Sequence, residues 1–226
     1  GPAVPLTADT DGNGASGLEP LGQAGGRRAW YGGGAPGPDP HDARPDGGET
    51  THISVVDADG NAVALTQTSS SEFGSGARVS GFFLNDSGVT PSGNAARATG
   101  RSPWRIRNST ISPTIVLRDG RAEMVVGAPG GGRIPPAIIQ SIVYVIDYGL
   151  DPLEAVRMPR IYPSAGSRRV ETENGFSAEV LGQARAMGYE ATPDAAGYAR
   201  LYVVARRRGA WVAAADPRHN GEVRGY

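Results

Sequence analysis

Two short runs rich in β-branched residues lie either side of Asp59-Gly60-Asn61: His52-Ile53-Ser54-Val55-Val56-Asp57, opened by Thr50-Thr51, and Ala62-Val63-Ala64-Leu65-Thr66-Gln67-Thr68. Such side chains fit a pleated strand, and Asp-Gly or Gly-Asn between them supplies the positive φ of a tight hairpin. An antiparallel hairpin is therefore expected, with its far ends, Thr50 and Thr68, side by side. The same pattern recurs at residues 112–118 and 122–126 around Asp119-Gly120, and at 202–205 and 211–215 around Arg208-Gly209. Phe82-Phe83-Leu84 reads as a further strand.

Between these hairpins the period changes. Residues 136–148, with Ile138, Ile139, Ile142, Val143, Val145 and Ile146, predict a mostly apolar, buried helix. Asp151-Pro152-Leu153-Glu154 starts another, with a capping aspartate, proline in the first turn and glutamate three residues on. Ser177 is expected to cap a third helix, with Phe176 stapled onto Leu181 and Gly188 ending it. Sheets covered by helices follow, an α+β fold rather than a doubly wound one.

Residues 1–49 obey neither period. Gly32-Gly33-Gly34-Ala35-Pro36-Gly37-Pro38 stands at their centre, and little there can offset the entropy of ordering. They read as a linker or tail, leaving 50–226 as the folded domain, with Trp30-Tyr31 the one anchoring pair. The formal net charge of −1 supplies no basic field for nucleic acid. All 22 basic residues are arginine, whose planar fork suits carboxylates. Cysteine is absent, which excludes disulfides and thiolate chemistry within the chain. No apolar run approaches the ~20 residues of a membrane span. No basic-then-apolar opening reads as a secretory signal, so the residues leave cytoplasmic and exported locations open. His41, His52 and His219 lack metal-ligand spacing, and neither metal nor organic cofactor is expected.

A threonine hydroxyl is a weak nucleophile at neutral pH and needs a base close by. A threonine that has become an N-terminus carries its own, since a free α-amine has a pKa near ~7.7–8.0. Thr50 and Thr51 also read as ordinary strand residues. What singles out Thr50 is the order of several motifs: Thr50-Thr51-His52 with Ser54-Val55-Val56-Asp57, Phe73-Gly74-Ser75-Gly76, Leu84-Asn85, Ser112-Pro113-Thr114-Ile115-Val116, Gly127-Ala128-Pro129-Gly130-Gly131, Ile146-Asp147-Tyr148-Gly149-Leu150, Met158-Pro159-Arg160, Asp216-Pro217-Arg218 and Gly225-Tyr226. From Thr50 to Tyr226 the chain resembles the small subunit of γ-glutamyltransferases.

The resemblance implies an αββα sandwich of the N-terminal-nucleophile hydrolase type, self-cleaved between Glu49 and Thr50. Thr50 becomes the nucleophile, and Thr68 hydrogen-bonds to its hydroxyl. The amides of Gly130 and Gly131 form the oxyanion hole. Ser109 and Thr110 match the hydroxyl pair that binds a substrate α-carboxylate. A nucleotide loop is excluded, because Gly132-Arg133-Ile134 follows where a lysine and a hydroxyl residue are needed. Arg101, Arg105 and Arg107 stand nearby without an assigned role. A large subunit of the same precursor is the implied partner, with a small amide or peptide as substrate.

Two positions depart from the family. Thr90 falls where an aspartate grips the substrate's α-amino group, with Asp86 close but out of register. Ser70 stands where bacterial members often carry asparagine. An ammonium buried without its carboxylate is costly, so the substrate is expected to lack that amine or to present it differently. An acylase or biosynthetic hydrolase is the alternative enzyme; an unprocessed partner or scaffold is the non-enzyme alternative.

Overall fold

The computed structural model describes residues 7–8, 49–70, 72–86, 109–164, 166–193 and 199–225. Most of the 1–49 segment, including Trp30-Tyr31, and Thr90, Arg101, Arg105 and Arg107 lie outside them. After β1 (Thr7–Ala8), β2 (Thr50–Val56) and β3 (Ala62–Thr68) form the first hairpin. Its turn closes as Asp57 accepts the Asp59 and Asn61 amides at 2.9 and 2.8 Å, with Gly60 at φ 86°. A small hairpin, β4 (Arg78–Val79) and β5 (Phe82–Phe83), follows.

The main sheet contains β6 (Thr114–Arg118) and β7 (Arg121–Gly127). Next come α1 (Ile134–Ile142), α2 (Pro152–Arg157), β8 (Ile161–Pro163), β9 (Arg169–Thr172), α3 (Ala178–Ala186) and β10 (Glu190–Pro193). The sheet is completed by β11 (Tyr202–Arg207) and β12 (Ala210–Ala215), in the order β1-β12-β11-β7-β6.

Alternation along the central strands separates two faces. Met124, Val126, Val203, Ala205 and Ala214 pack with Ile134, Ala137, Ile138, Val145, Ala155 and Val156 of the helical layer. Val125, Val204 and Ala213 face Val56, Ala62 and Ala64 of the β2–β3 hairpin. Helices, sheet and hairpin thus stack in three layers. On the hairpin's outer face Ile53, Val55, Val63 and Leu65 are 40–54 % exposed.

The helix expected over 136–148 differs in two respects. It starts at Ile134, because Pro135 and Pro136 occupy a first turn where no amide proton is missed. It ends as a π-helical stretch, Val143–Asp147, with Tyr148 N–H reaching Val143 C=O at 3.0 Å. The Arg207 guanidinium donates to Val145 C=O at 2.5 Å, within this stretch, and to Leu150 C=O just beyond it. Ile138 and Val145 are buried as expected, whereas Ile139 is 60 % exposed on the side away from the sheet. The Asp151–Glu154 capping box and the Ser177 cap both form.

A separate three-stranded sheet, β10-β9-β8, was not anticipated. Beside it lies a closed ring of four fully buried charges. Arg160 pairs with Glu173 at 3.0 Å and Asp216 at 3.1 Å; Arg218 pairs with the same two carboxylates at 2.8 Å each. Tyr162 OH adds a 2.6 Å bond to Glu173. Burial opposes the Arg160 charge, but Asp216 and Glu173 outweigh it and raise its pKa. The ring ties the start of β8 to the residues after β12, which gives Met158-Pro159-Arg160 and Asp216-Pro217-Arg218 a shared physical reason.

Candidate active site

The β2–β3 register pairs Thr50 with Thr68 directly. Thr50 Oγ1 donates to Thr68 Oγ1 at 3.0 Å, and Thr68 Oγ1 also accepts the Ser70 N–H at 2.9 Å. Ser70 turns the chain at φ 72°. Glu49 N–H donates to Ser70 C=O, and Ser69 N–H donates to Glu49 C=O, both at 3.2 Å. The carbonyl preceding Thr50 is therefore held by an amide, beside a hydroxyl already aligned by Thr68. Ser69 was not singled out from the sequence; its strand-end position opposite Glu49 was the available signal.

His52 fixes which face of the hairpin meets the sheet. It is 5 % exposed, and its ring occupies the space a side chain at Gly127 would fill, with Cε1 2.1 Å from the position of such a Cβ. Its Nδ1 lies 2.6 Å from Thr66 Oγ1 and its Nε2 2.9 Å from Ser54 Oγ. Ser54 spends its own proton on Tyr202 C=O at 3.2 Å, so Nε2 carries the imidazole hydrogen and Nδ1 accepts from Thr66. Ser54 and His52 thus lie over Tyr202 and Gly127, which face each other across β11 and β7.

Burial lowers the His52 pKa from 6.5 to about 4. The folded value lies below the unfolded one, so between them the unfolded chain binds the extra proton. This contribution is complete above pH 6.5 and is lost as pH falls toward 4. The expected loss is about 3 kcal/mol, at about 1.36 kcal/mol per unit. Thermal melts of the protein and of His52→Gln across this window check it. Equal pH slopes in the two would show that His52 does not carry the effect.

Gly130 has φ 141° and Gly131 φ 56°, opening a short helical turn, Gly131–Arg133, in which Arg133 N–H bonds to Gly130 C=O at 3.1 Å. Because β6 is antiparallel to β7, with Thr114 opposite Val126, the residues before Thr114 lie at this same sheet end. Ser109 and Thr110 are exposed there; Ser109 Oγ accepts the Ile111 N–H at 3.2 Å. Asp86 N–H bonds to Ser69 C=O at 3.2 Å, so the Leu84-Asn85-Asp86 backbone reaches the hairpin end. Gly74 explains its motif, since a Cβ there would sit 2.2 Å from Leu84 O. The structure thus joins Thr50, Thr68 and Ser70 by hydrogen bonds, while Gly130 and Gly131 follow β7 and Ser109 and Thr110 precede its neighbour β6. Among the described residues, no group of three or more His, Asp and Glu could hold a metal ion, and no helix is long and apolar enough to cross a membrane.

A paired-hydroxyl strand end over a sheet backed by helices defines the class: an α+β fold of the N-terminal-nucleophile hydrolase type. The gamma-glutamyltranspeptidase family model matches residues 27–226, and the chain belongs to that family. It is 38 % identical over 184 residues to the glutathione hydrolase proenzyme of Escherichia coli (strain K12), covering 75 % of this chain and 31 % of that protein. It is 33 % identical over 125 residues to the acylase ACY 1 proenzyme of Pseudomonas sp. (strain SE83), covering 54 % of this chain and 22 % of that protein. The gamma-glutamyltranspeptidase structure from Pseudomonas nitroreducens superposes with a TM-score of 0.64 at 32 % identity, covering 77 % of this chain and 98 % of the other. The chain spans about a third of the length of the glutathione hydrolase proenzymes it matches.

Proposed function

We propose that this chain is the catalytic portion of an acyl-transferring amidohydrolase that cleaves itself between Glu49 and Thr50. The observation carrying the reading is the Thr50–Thr68 hydroxyl pair at 3.0 Å, beside a Glu49 carbonyl held by Ser69 N–H. In maturation the Thr50 hydroxyl adds to the Glu49 carbonyl carbon while Ser69 N–H stabilises the developing oxyanion. The C–N bond breaks, the Thr50 nitrogen takes the hydroxyl proton, and the acyl group rests on Thr50 as an ester. Water cleaves that ester, giving a Glu49 carboxylate and a free Thr50 amine. The word proenzyme in the relatives' names supports such a step.

In turnover the free amine takes the hydroxyl proton as Thr50 attacks a substrate amide. The Gly130 and Gly131 amides hold the oxyanion, the leaving amine takes the proton, and water or an acceptor amine resolves the ester. Thr68 orients the nucleophile, and Ser109 and Thr110 bind a substrate carboxylate, with Ser70 beside the acyl group. The remainder of a longer precursor is the partner. The apolar outer face of the hairpin, Ile53, Val55, Val63 and Leu65, is the surface it would cover.

Thr90 and Ser70 favour a second reading, an acylase with a non-glutamyl donor, and the acylase relative supports it. Denaturing mass measurement is the first test: the reading requires a fragment beginning at Thr50, and a single intact chain favours a non-catalytic homologue. The substrate test compares γ-glutamyl-p-nitroanilide with its glutaryl analogue, which lacks the α-amine. A site built around the ammonium would prefer the former by about four powers of ten. The expected preference here is below about tenfold, and a far larger one would defeat the altered-specificity reading.

A further inference from the structure

We propose that Ala199-Arg200-Leu201 is a buttress that holds the Pro129-Gly130-Gly131 turn in its working shape, with Asp216 setting the buttress in place. The proposal rests on the assignment of Gly130 and Gly131 as the oxyanion site.

The Gly130 Cα abuts Ala199. A Cβ built on Gly130 would lie 2.5 Å from Ala199 Cα and 2.7 Å from Ala199 Cβ. One residue on each side, Arg200 N–H donates to Pro129 C=O at 3.0 Å. The turn is thus gripped by one steric contact and one backbone bond, both from the same short segment. Ala199 and Leu201 are fully buried, so the segment has no free space into which to relax.

Leu201 is clasped from behind. Its N–H donates to Asp216 Oδ2 at 3.2 Å, and its C=O accepts Asp216 N–H at 2.9 Å. The remaining capacity of the Asp216 carboxylate goes to the charge ring. Oδ2 takes Arg160 Nη1 at 3.1 Å, while Oδ1 takes Arg218 N and Nη1 at 3.1 and 2.8 Å. Arg218 in turn donates to Val156 C=O at 2.6 Å and Met158 C=O at 3.2 Å, at the C-terminal end of α2. Burying four charges is weak evidence for stability, because desolvation offsets much of their attraction. What a ring of mutually paired charges supplies is a fixed position for the carboxylate oxygens that bridge its two guanidinium groups. Here the atom that leaves the ring toward the turn is Asp216 Oδ2. Ala199 and Asp216 are therefore positioning residues: they act on the acyl-transfer step through the amides of the turn.

The test uses the assembled protein carrying Ala199→Gly, which removes only the methyl behind Gly130. Two quantities are read: hydrogen exchange at the Arg133 and Arg200 amides, and single-turnover acylation by whichever of γ-glutamyl- and glutaryl-p-nitroanilide reacts faster. Both amides are expected to exchange at least about tenfold faster, with those of β7 unchanged. Acylation is expected to slow by about ten- to a hundredfold at nearly constant KM, the effect of a small misplacement of catalytic groups. Asp216→Asn, if it folds, should speed exchange at Arg200 and Leu201 in the same way; if it does not, Ala199→Gly decides alone. Unchanged exchange overturns the buttress, as does loosened exchange with unchanged acylation. A wild-type protein that acylates with neither anilide defeats the assigned activity instead, and exchange at Arg133 and Arg200 then decides the buttress by itself.

Discussion

Thr50→Ala is expected to leave the 49–50 bond intact and to abolish acyl transfer. The alanine has no oxygen to attack the Glu49 carbonyl, and no cleavage means no free α-amine to serve as base. Loss of a nucleophile that acts as a unit with its base costs about six powers of ten elsewhere. The structural cost is small by comparison. Thr50 is half-buried, and Thr68 Oγ1 keeps the Ser70 N–H, so one hydrogen bond is lost, worth about 1 kcal/mol. Thr50→Ala should therefore melt near the wild-type temperature, and its inactivity cannot be assigned to unfolding. Thr50→Ser keeps the hydroxyl and should retain part of both reactions. N-terminal sequencing and anilide turnover read the outcome. A cleaved and active Thr50→Ala, or a new terminus at Thr51, would remove Thr50 from its role.

The pairing at the heart of this site was legible because it is local. Two β-branched runs about one Asp-Gly-Asn turn set the register, and the register alone puts Thr50 opposite Thr68. The helix caps at Asp151 and Ser177 were legible for the same reason. What escaped the sequence depends on residues far apart in it. Ile161–Pro163 is too short to announce a strand, and β9 pairs in parallel with β10 only after α3 intervenes. The π-helical stretch is bonded at Val145 C=O by Arg207, about sixty residues on. Nothing local in the sequence marks Arg160, Glu173, Asp216 and Arg218 for burial; only their mutual pairing allows it. The motifs containing them were visible as words without a reason. Thr90, where glutamate recognition is expected to differ, lies outside the described residues.

Gly130→Ala is expected to slow acylation by about two to three powers of ten, while Gly131→Ala costs less than about tenfold. The two glycines sit side by side, and the contrast comes from their surroundings. At Gly131 φ is 56°, within the left-handed region, and a Cβ would meet nothing within 4 Å. Alanine there carries a backbone strain of about 1–2 kcal/mol but need not displace its neighbours. At Gly130 φ is 141°, where L residues rarely sit, and the new Cβ would collide with the Ala199 backbone. Backbone cannot rotate aside as a side chain can, so the turn itself must shift. Its amides then no longer point at the place where charge develops, a loss of about 2.7–4 kcal/mol for one donor. The experiment purifies each variant in its cleaved form, confirms folding by thermal melt and measures acylation in a single turnover. A folded, cleaved Gly130→Ala that acylates at the wild-type rate would take the oxyanion role away from this turn. Equal losses at the two positions would mean that strain in the turn, rather than the Ala199 contact, governs the reaction.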